Sequence, residues 1–100
     1  MRPMRMTVYL QGKRYAVDTA QLLAHGERDA DIPGAPATAT FLFRTQDESY
    51  FVQHRASPSG SGDPHDERVW IDPISDMDAA ALFSELQYKE VSFDEAFAEP

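Results

Sequence analysis

Thr40-Phe41-Leu42-Phe43-Arg44-Thr45, Gln46-Asp47-Glu48-Ser49, Tyr50-Phe51-Val52-Gln53-His54: these fifteen residues decide the fold. In the first arm Phe41 and Phe43 alternate with Leu42 and Arg44. In the last arm Tyr50, Val52 and His54 alternate with Phe51 and Gln53. Period-two alternation among aromatic and β-branched residues predicts strands. The four polar residues between the arms predict a tight turn, and a hairpin pairs its strands antiparallel.

Upstream, Met6–Leu10 and Arg14–Val17 flank Gln11-Gly12-Lys13 and predict a second hairpin, with Gly12 supplying the positive φ a tight turn needs. Asp18, with Gln21 three residues on, has the spacing of a helix capping box. Ala20, Leu22, Leu23 and Ala24 follow, and Gly26 stands where a terminating glycine would, so the spacing predicts a two-turn helix. His25 would sit at its C-terminus, where the dipole favours a cation. Residues 27–39, with Pro33, Gly34 and Pro36, read as a loop.

Downstream, residues 56–66 are polar and rich in Ser, Gly and Pro, and read as a flexible segment. Arg68–Ile71 predicts a strand. Ser75 reads as the cap of a helix running to about Gln87, with Ala79, Leu82, Phe83 and Leu86 as its buried stripe. Ser92 and Glu95 repeat the capping pattern for a last short helix that presents Phe93 and Phe97. Trp70 and Phe97 are expected in the core, because large aromatics are mostly buried. The order β-β-α-β-β-β-α-α predicts an α+β fold: a small antiparallel sheet of about five strands with two to three short helices packed on one face. Residues 1–100 read as a single domain with a flexible loop at about 56–67.

Composition bounds what such a domain does. The chain has no cysteine, which excludes disulfides, thiolate metal sites and cysteine nucleophiles, and makes the cytoplasm the simplest location. No apolar run is long enough to span a bilayer, and no apolar segment follows Arg2 and Arg5 as a signal peptide would require, so no membrane partner is expected. Met1, Met4 and Met6 are each possible starts. The net charge is −8, unevenly spread: residues 1–62 hold seven basic residues against six acidic, whereas residues 63–100 hold only Arg68 and Lys89 against eleven acids. Such a chain repels the nucleic-acid backbone and is drawn to basic surfaces.

Five pieces of the chain, Gly12-Lys13-Arg14-Tyr15, Asp18-Thr19-Ala20, Phe43-Arg44-Thr45 with Tyr50-Phe51, Pro73-Ile74-Ser75 and Phe93-Asp94-Glu95-Ala96-Phe97, stand in an order that resembles a loose family of short uncharacterised proteins of bacteria, plasmids and phages. The sequence departs from that pattern at Gln46–Ser49, which lacks a glycine, and at Ala16-Val17, which widens the Tyr-to-Asp spacing. The resemblance implies no activity and lends no catalytic residue. It implies a mobile-element setting, where small acidic inhibitors of host defence are common.

No chemical motif stands out. His25, His54 and His65 lie far apart and at no metal-ligand spacing. His65, Asp66 and Glu67 form an acidic loop that could begin a metal site, but no second cluster accompanies it. Asp72, Asp76 and Asp78 lack the glycine and distal glutamate of a calcium loop, and Asp76 and Asp78 are better placed as N-terminal charges on a helix. Ser57, Ser59 and Ser61 have no nucleophile elbow, and Gly60 and Gly62 form no phosphate loop. Neither a cofactor nor an enzymatic activity is expected.

The leading expectation is a non-enzymatic acidic module that occupies a basic, normally nucleic-acid-facing surface of another protein, as an anti-CRISPR or antirestriction inhibitor would. Asp72, Asp76, Asp78, Glu85, Glu90, Asp94 and Glu95 are its candidate partner-binding residues. Aromatic side chains among them, Tyr88, Phe93 or Phe97, would serve as anchors if exposed. One alternative is a structural module that self-associates through a strand edge, as monomer or homodimer. Another is a small hydrolase or metal-binding protein built on the His65 loop.

Overall fold

A computed structural model describes residues 2–28, 37–57 and 67–97. In chain order its elements are β1 (Thr7–Leu10), β2 (Lys13–Ala16), β3 (Gln21–Arg28), β4 (Ala37–Arg44), β5 (Tyr50–Ser57), β6 (Arg68–Ile74), α1 (Asp76–Glu85), β7 (Tyr88–Lys89) and α2 (Phe93–Phe97). β1 and β2 form a two-stranded sheet. The other five strands form a second sheet in the order β6-β5-β4-β3-β7. Every pairing is antiparallel. The α+β class holds, but the expected single sheet of about five strands is corrected to seven strands in two sheets among the described residues, with two short helices.

The β4–β5 hairpin is the centre of the molecule. Its register pairs Phe43 with Phe51 and Leu42 with Val52. Alternation sends these pairs to opposite faces. Leu42, Tyr50 and Val52 join Ala79, Phe83, Leu86 and Ala96 under the helices. Phe41, Phe43, Phe51 and Ile71 join Tyr15 and Val17 under the β1–β2 hairpin. The helices do cover one face, as expected, but the other face is covered as well. The main sheet is thus the middle of three layers, and it carries two cores. Phe41, Phe43 and Phe51 are almost wholly buried, each contributing about 1.5–3 kcal/mol. The stack of Phe43 on Phe51 at 5.0 Å and the edge contact of Tyr15 with Phe51 at 5.7 Å fix the hairpin layer on the sheet.

The helix expected over residues 18–26 is corrected to strand β3. The cap signal at Asp18 produces one turn, in which Ala20 donates to the Ala16 carbonyl at 3.2 Å, and the turn does not continue. Gln21 makes no capping box. Its side-chain oxygen accepts from Arg44 Nη2 at 2.9 Å. Leu23 and Ala24 are completely buried, and a β-bulge between Leu22 and Ala24 turns both toward the helical layer. Packing between β4 and β7 outweighs the helical propensity of Leu and Ala, which is worth only tenths of a kcal/mol per residue, about 0.7 at most. Gly26 is a glycine of close approach. A Cβ there would meet the Leu86 side chain at 3.2 Å.

Boundaries move as well: residues 27–28 and 37–39, expected as loop, belong to β3 and β4, Ala56 and Ser57, expected as flexible, end β5, α1 stops at Glu85, and β7 has no local signal, whereas the helix starts and the first turn follow theirs. Ser75 caps α1, its hydroxyl accepting from the Asp78 amide at 3.1 Å, and Ser92 accepts from the Glu95 amide at 3.2 Å. The turn of the first hairpin places both Gln11 and Gly12 at positive φ, as a two-residue primed turn requires. In the second turn Glu48 holds φ +66° where a glycine would be at ease. Residues 29–36 and 58–66 lie outside the described residues, and with them the Pro33–Pro36 loop and the Ser59, Ser61, Gly60, Gly62 and His65 sites.

Candidate functional site

The charge asymmetry of the sequence becomes an asymmetry of layers. Residues 2–20, which lead into and build the hairpin layer, hold Arg2, Arg5, Lys13 and Arg14 against Asp18. Residues 76–97, which build the helical layer and β7, hold Asp76, Asp78, Glu85, Glu90, Asp94 and Glu95 against Lys89. The two layers lie on opposite faces of the sheet. These segments alone sum to +3 and −5; Asp47 adds an acid beside Lys13 on the hairpin side, and Arg44 adds a cation against α2 on the other.

All seven predicted carboxylate residues are exposed. Five belong to the helices: Asp76, Asp78 and Glu85 on α1, and Asp94 and Glu95 on α2. The helices pack through Phe83, whose ring meets Phe93 at 5.9 Å and Phe97 at 5.6 Å. Asp76 and Asp78 also serve the fold as first-turn acids that favour the helix dipole. Glu85 has no such local role, because it ends α1 where the dipole disfavours an anion. Two further apolar groups stand among these acids. Met77, between Asp76 and Asp78, is 80% exposed, and Phe93, beside Asp94, is 48% exposed.

The remaining two acids are set apart by their partners. Asp72 lies on β6, where its Oδ2 accepts from Trp70 Nε1 at 3.2 Å and stands 3.4 Å from His54 Nε2. Trp70 is not core, as expected from its size, but 42% exposed on the edge strand, with His54 stacked on it at 5.1 Å. Glu90 follows β7 and bonds His25 Nε2 at 3.0 Å. His25 is therefore a strand residue held between Phe41 and Tyr88, at 5.9 and 5.1 Å, and not a helix-terminal cation. Phe97 is half-buried, stacked on Tyr50 at 5.3 Å.

A polar groove of about 420 Å³ opens on the hairpin side, lined by Lys13, Arg14, Thr19, Thr45, Gln46 and Asp47. Its charges are largely spoken for. Lys13 pairs with Asp47 at 2.8 Å and also bonds the Ser49 hydroxyl. The hydrogen bond from Lys13, and then that from Thr45, lower the Asp47 carboxyl to a pKa of about 2. Lining the groove are hydroxyls but no histidine or cysteine to activate one. Among the described residues no three His, Asp or Glu side chains converge to hold a metal ion. Nor, among them, is any helix long and apolar enough to cross a membrane.

Comparison of the chain with protein-family models, curated proteins and solved structures returns no match. The sequence did not reveal the cationic hairpin layer as a separate face, because its four basic residues are diluted by acids elsewhere in the N-terminal part. Nor did it reveal Met77 as exposed. Its place outside the stripe of Ala79, Leu82, Phe83 and Leu86 was the available signal.

Proposed function

We propose that this protein is a non-enzymatic binding module that docks its helical layer on a basic, normally nucleic-acid-facing surface of another protein. An inhibitor of a host defence complex, of the anti-CRISPR or antirestriction kind, is the physiological role that fits such a module. One observation carries the reading: Asp76, Asp78, Glu85, Asp94 and Glu95 are exposed on one layer, with the exposed Met77 and Phe93 next to three of them in the chain, while Arg2, Arg5, Lys13 and Arg14 belong to the segment that builds the opposite layer. Apolar anchors flanked by carboxylates suit a partner whose lysines and arginines border a small apolar patch. Opposite charge speeds the encounter and orients it, since the cationic side of the module is repelled by the same partner.

The test is affinity capture from host cells with the wild-type protein and with the Asp76→Lys, Asp78→Lys, Glu85→Lys variant. Ser75 keeps the α1 cap in both, and circular dichroism checks that the helices remain. The reading expects a basic protein bound to the wild type, weakened by added salt and lost in the variant. Equal capture by both proteins, with no dependence on salt, would overturn it.

A further inference from the structure

We infer that the edge strand β6 pairs antiparallel with β6 of a second copy of this chain, about a two-fold axis through Trp70. β6 ends the five-stranded sheet, and among the described residues no strand pairs with its outer edge. Unpaired backbone groups on such an edge are a template for another strand. The sequence of the edge selects which strand. Arg68, Val69, Trp70, Ile71 and Asp72 carry opposite charges two positions either side of a central aromatic residue. Antiparallel pairing about Trp70 sets Arg68 opposite Asp72 of the second copy, twice, with Trp70 opposite Trp70 between them. The same register sets Val69 opposite Ile71 on the other face.

Side-chain geometry agrees with this register. Arg68, Trp70 and Asp72 are all exposed and, two residues apart, share one face. Arg68 has no ion pair among the described residues. The Trp70 and His54 contacts of Asp72 both use Oδ2, leaving Oδ1 for the incoming guanidinium. Pro73, which cannot donate to a ladder, lies just outside the five paired residues. Among the described residues the other open edges lack this pattern: β1 carries no charge, β2 carries two of the same sign, and β7 is only two residues long with a single charge.

The arrangement has a defined outcome. A two-fold axis perpendicular to an antiparallel sheet keeps each face on its own side, so two five-stranded sheets become one continuous sheet. Both helical layers then face the same way and present two acidic surfaces side by side. The dimer thus goes beyond the proposed docking surface, and it stands or falls separately, because its test needs no partner protein.

The test is sedimentation equilibrium on the full chain from micromolar to near-millimolar concentration, with charge-swapped variants. The wild type is expected as a reversible dimer. Arg68→Asp alone or Asp72→Arg alone places like charges opposite each other twice, and is expected to raise the dissociation constant about tenfold. The double variant Arg68→Asp, Asp72→Arg recreates both pairs and is expected to recover most of the affinity. The chain has no cysteine, so a single thiol is a clean register probe. Trp70→Cys should form an intermolecular disulfide on mild oxidation, while Met77→Cys on the helical layer should not. A wild type that stays monomeric throughout, a double variant as weak as the single ones, or equal cross-linking from both thiols would overturn the proposal.

Discussion

Arg44 on the central strand β4 donates from Nη1 to the carbonyl of Ala96 at 3.1 Å, and the same nitrogen reaches the Glu95 carbonyl at 3.0 Å. The five-residue helix α2 has no basic residue in its own last turn. A helix so short does not persist alone. Its C-terminal cap comes from the sheet. Arg44→Ala is expected to destabilise the fold by about 2 kcal/mol, since bonds to a charged donor are worth roughly 1.5–3 kcal/mol. Arg44→Lys should recover less than half of that, because an ammonium cannot reproduce the planar fork. Urea unfolding measures the loss, and amide exchange at Ala96 locates it.

Gln53 is fully buried, and both ends of its amide bond the backbone of Met4, accepting from the nitrogen at 2.8 Å and donating to the oxygen at 2.6 Å. Gln53→Ala should cost about 2–3 kcal/mol, combining lost packing with two broken bonds. Limited proteolysis is expected to cut before Thr7 sooner in the variant than in the wild type.

Asp47 gives the stability a predictable acid limb. Its folded pKa of about 2 lies below the usual 3.8, chiefly through the hydrogen bond from Lys13. A depressed carboxyl contributes stability fully above the higher value and loses it as pH falls from 3.8 toward 2. The pair is largely exposed, so the contribution is about 0.5 kcal/mol. Asp47→Asn should flatten this part of the stability profile measured from pH 5 down to about pH 2.

The two hairpin turns are improvable. Gln11 has φ +53° and Glu48 has φ +66°, a region that non-glycine residues enter at some cost. Gln11→Asn and Glu48→Gly are each expected to stabilise by about 0.5–1 kcal/mol, seen as a higher Tm. Gly12→Ala should do the reverse, because its φ is +79°.

Glu85 separates the demands of folding from those of binding. Its place in the last turn of α1 opposes the helix dipole. Glu85→Lys is expected to raise stability by about 0.5 kcal/mol at low salt and by less at high salt. On the proposed function the same change weakens capture of a basic partner. A stabilising variant that binds less would be difficult to explain by damage to the fold.

Much of this architecture was legible locally. Alternation at Phe41–Phe43 and Tyr50–Val52 defined the central hairpin, Gly12 marked the first one, and Ser75 and Ser92 marked the helix starts. Residues 18–26 misled because a one-turn cap signal, two leucines and an alanine describe a short helix as well as a buried bulged strand. What decided between them was contact with Phe43 and Leu42 from β4 and with Lys89 from β7, all distant in sequence. The exposure of Trp70 was hidden for a related reason. β6 is an edge strand, and edge position is a property of strand order, which no local pattern encodes. Which of the acids share the helical layer, as Asp76, Asp78, Glu85, Asp94 and Glu95 do, and which stand elsewhere, as Asp72 does on β6, likewise depends on the topology.

The two-residue strand β7 has a consequence for how the chain is made. It closes the outer edge of β3, where the contact between His25 and Glu90 joins positions 65 residues apart. Leu23 and Ala24 are fully buried only once α1 and β7 are in place. During translation β3 therefore leaves the ribosome long before its cover does. Until residues 76–89 emerge, the nascent chain presents Leu23 and Ala24 without that cover, an exposed strand edge of the kind that invites misassociation.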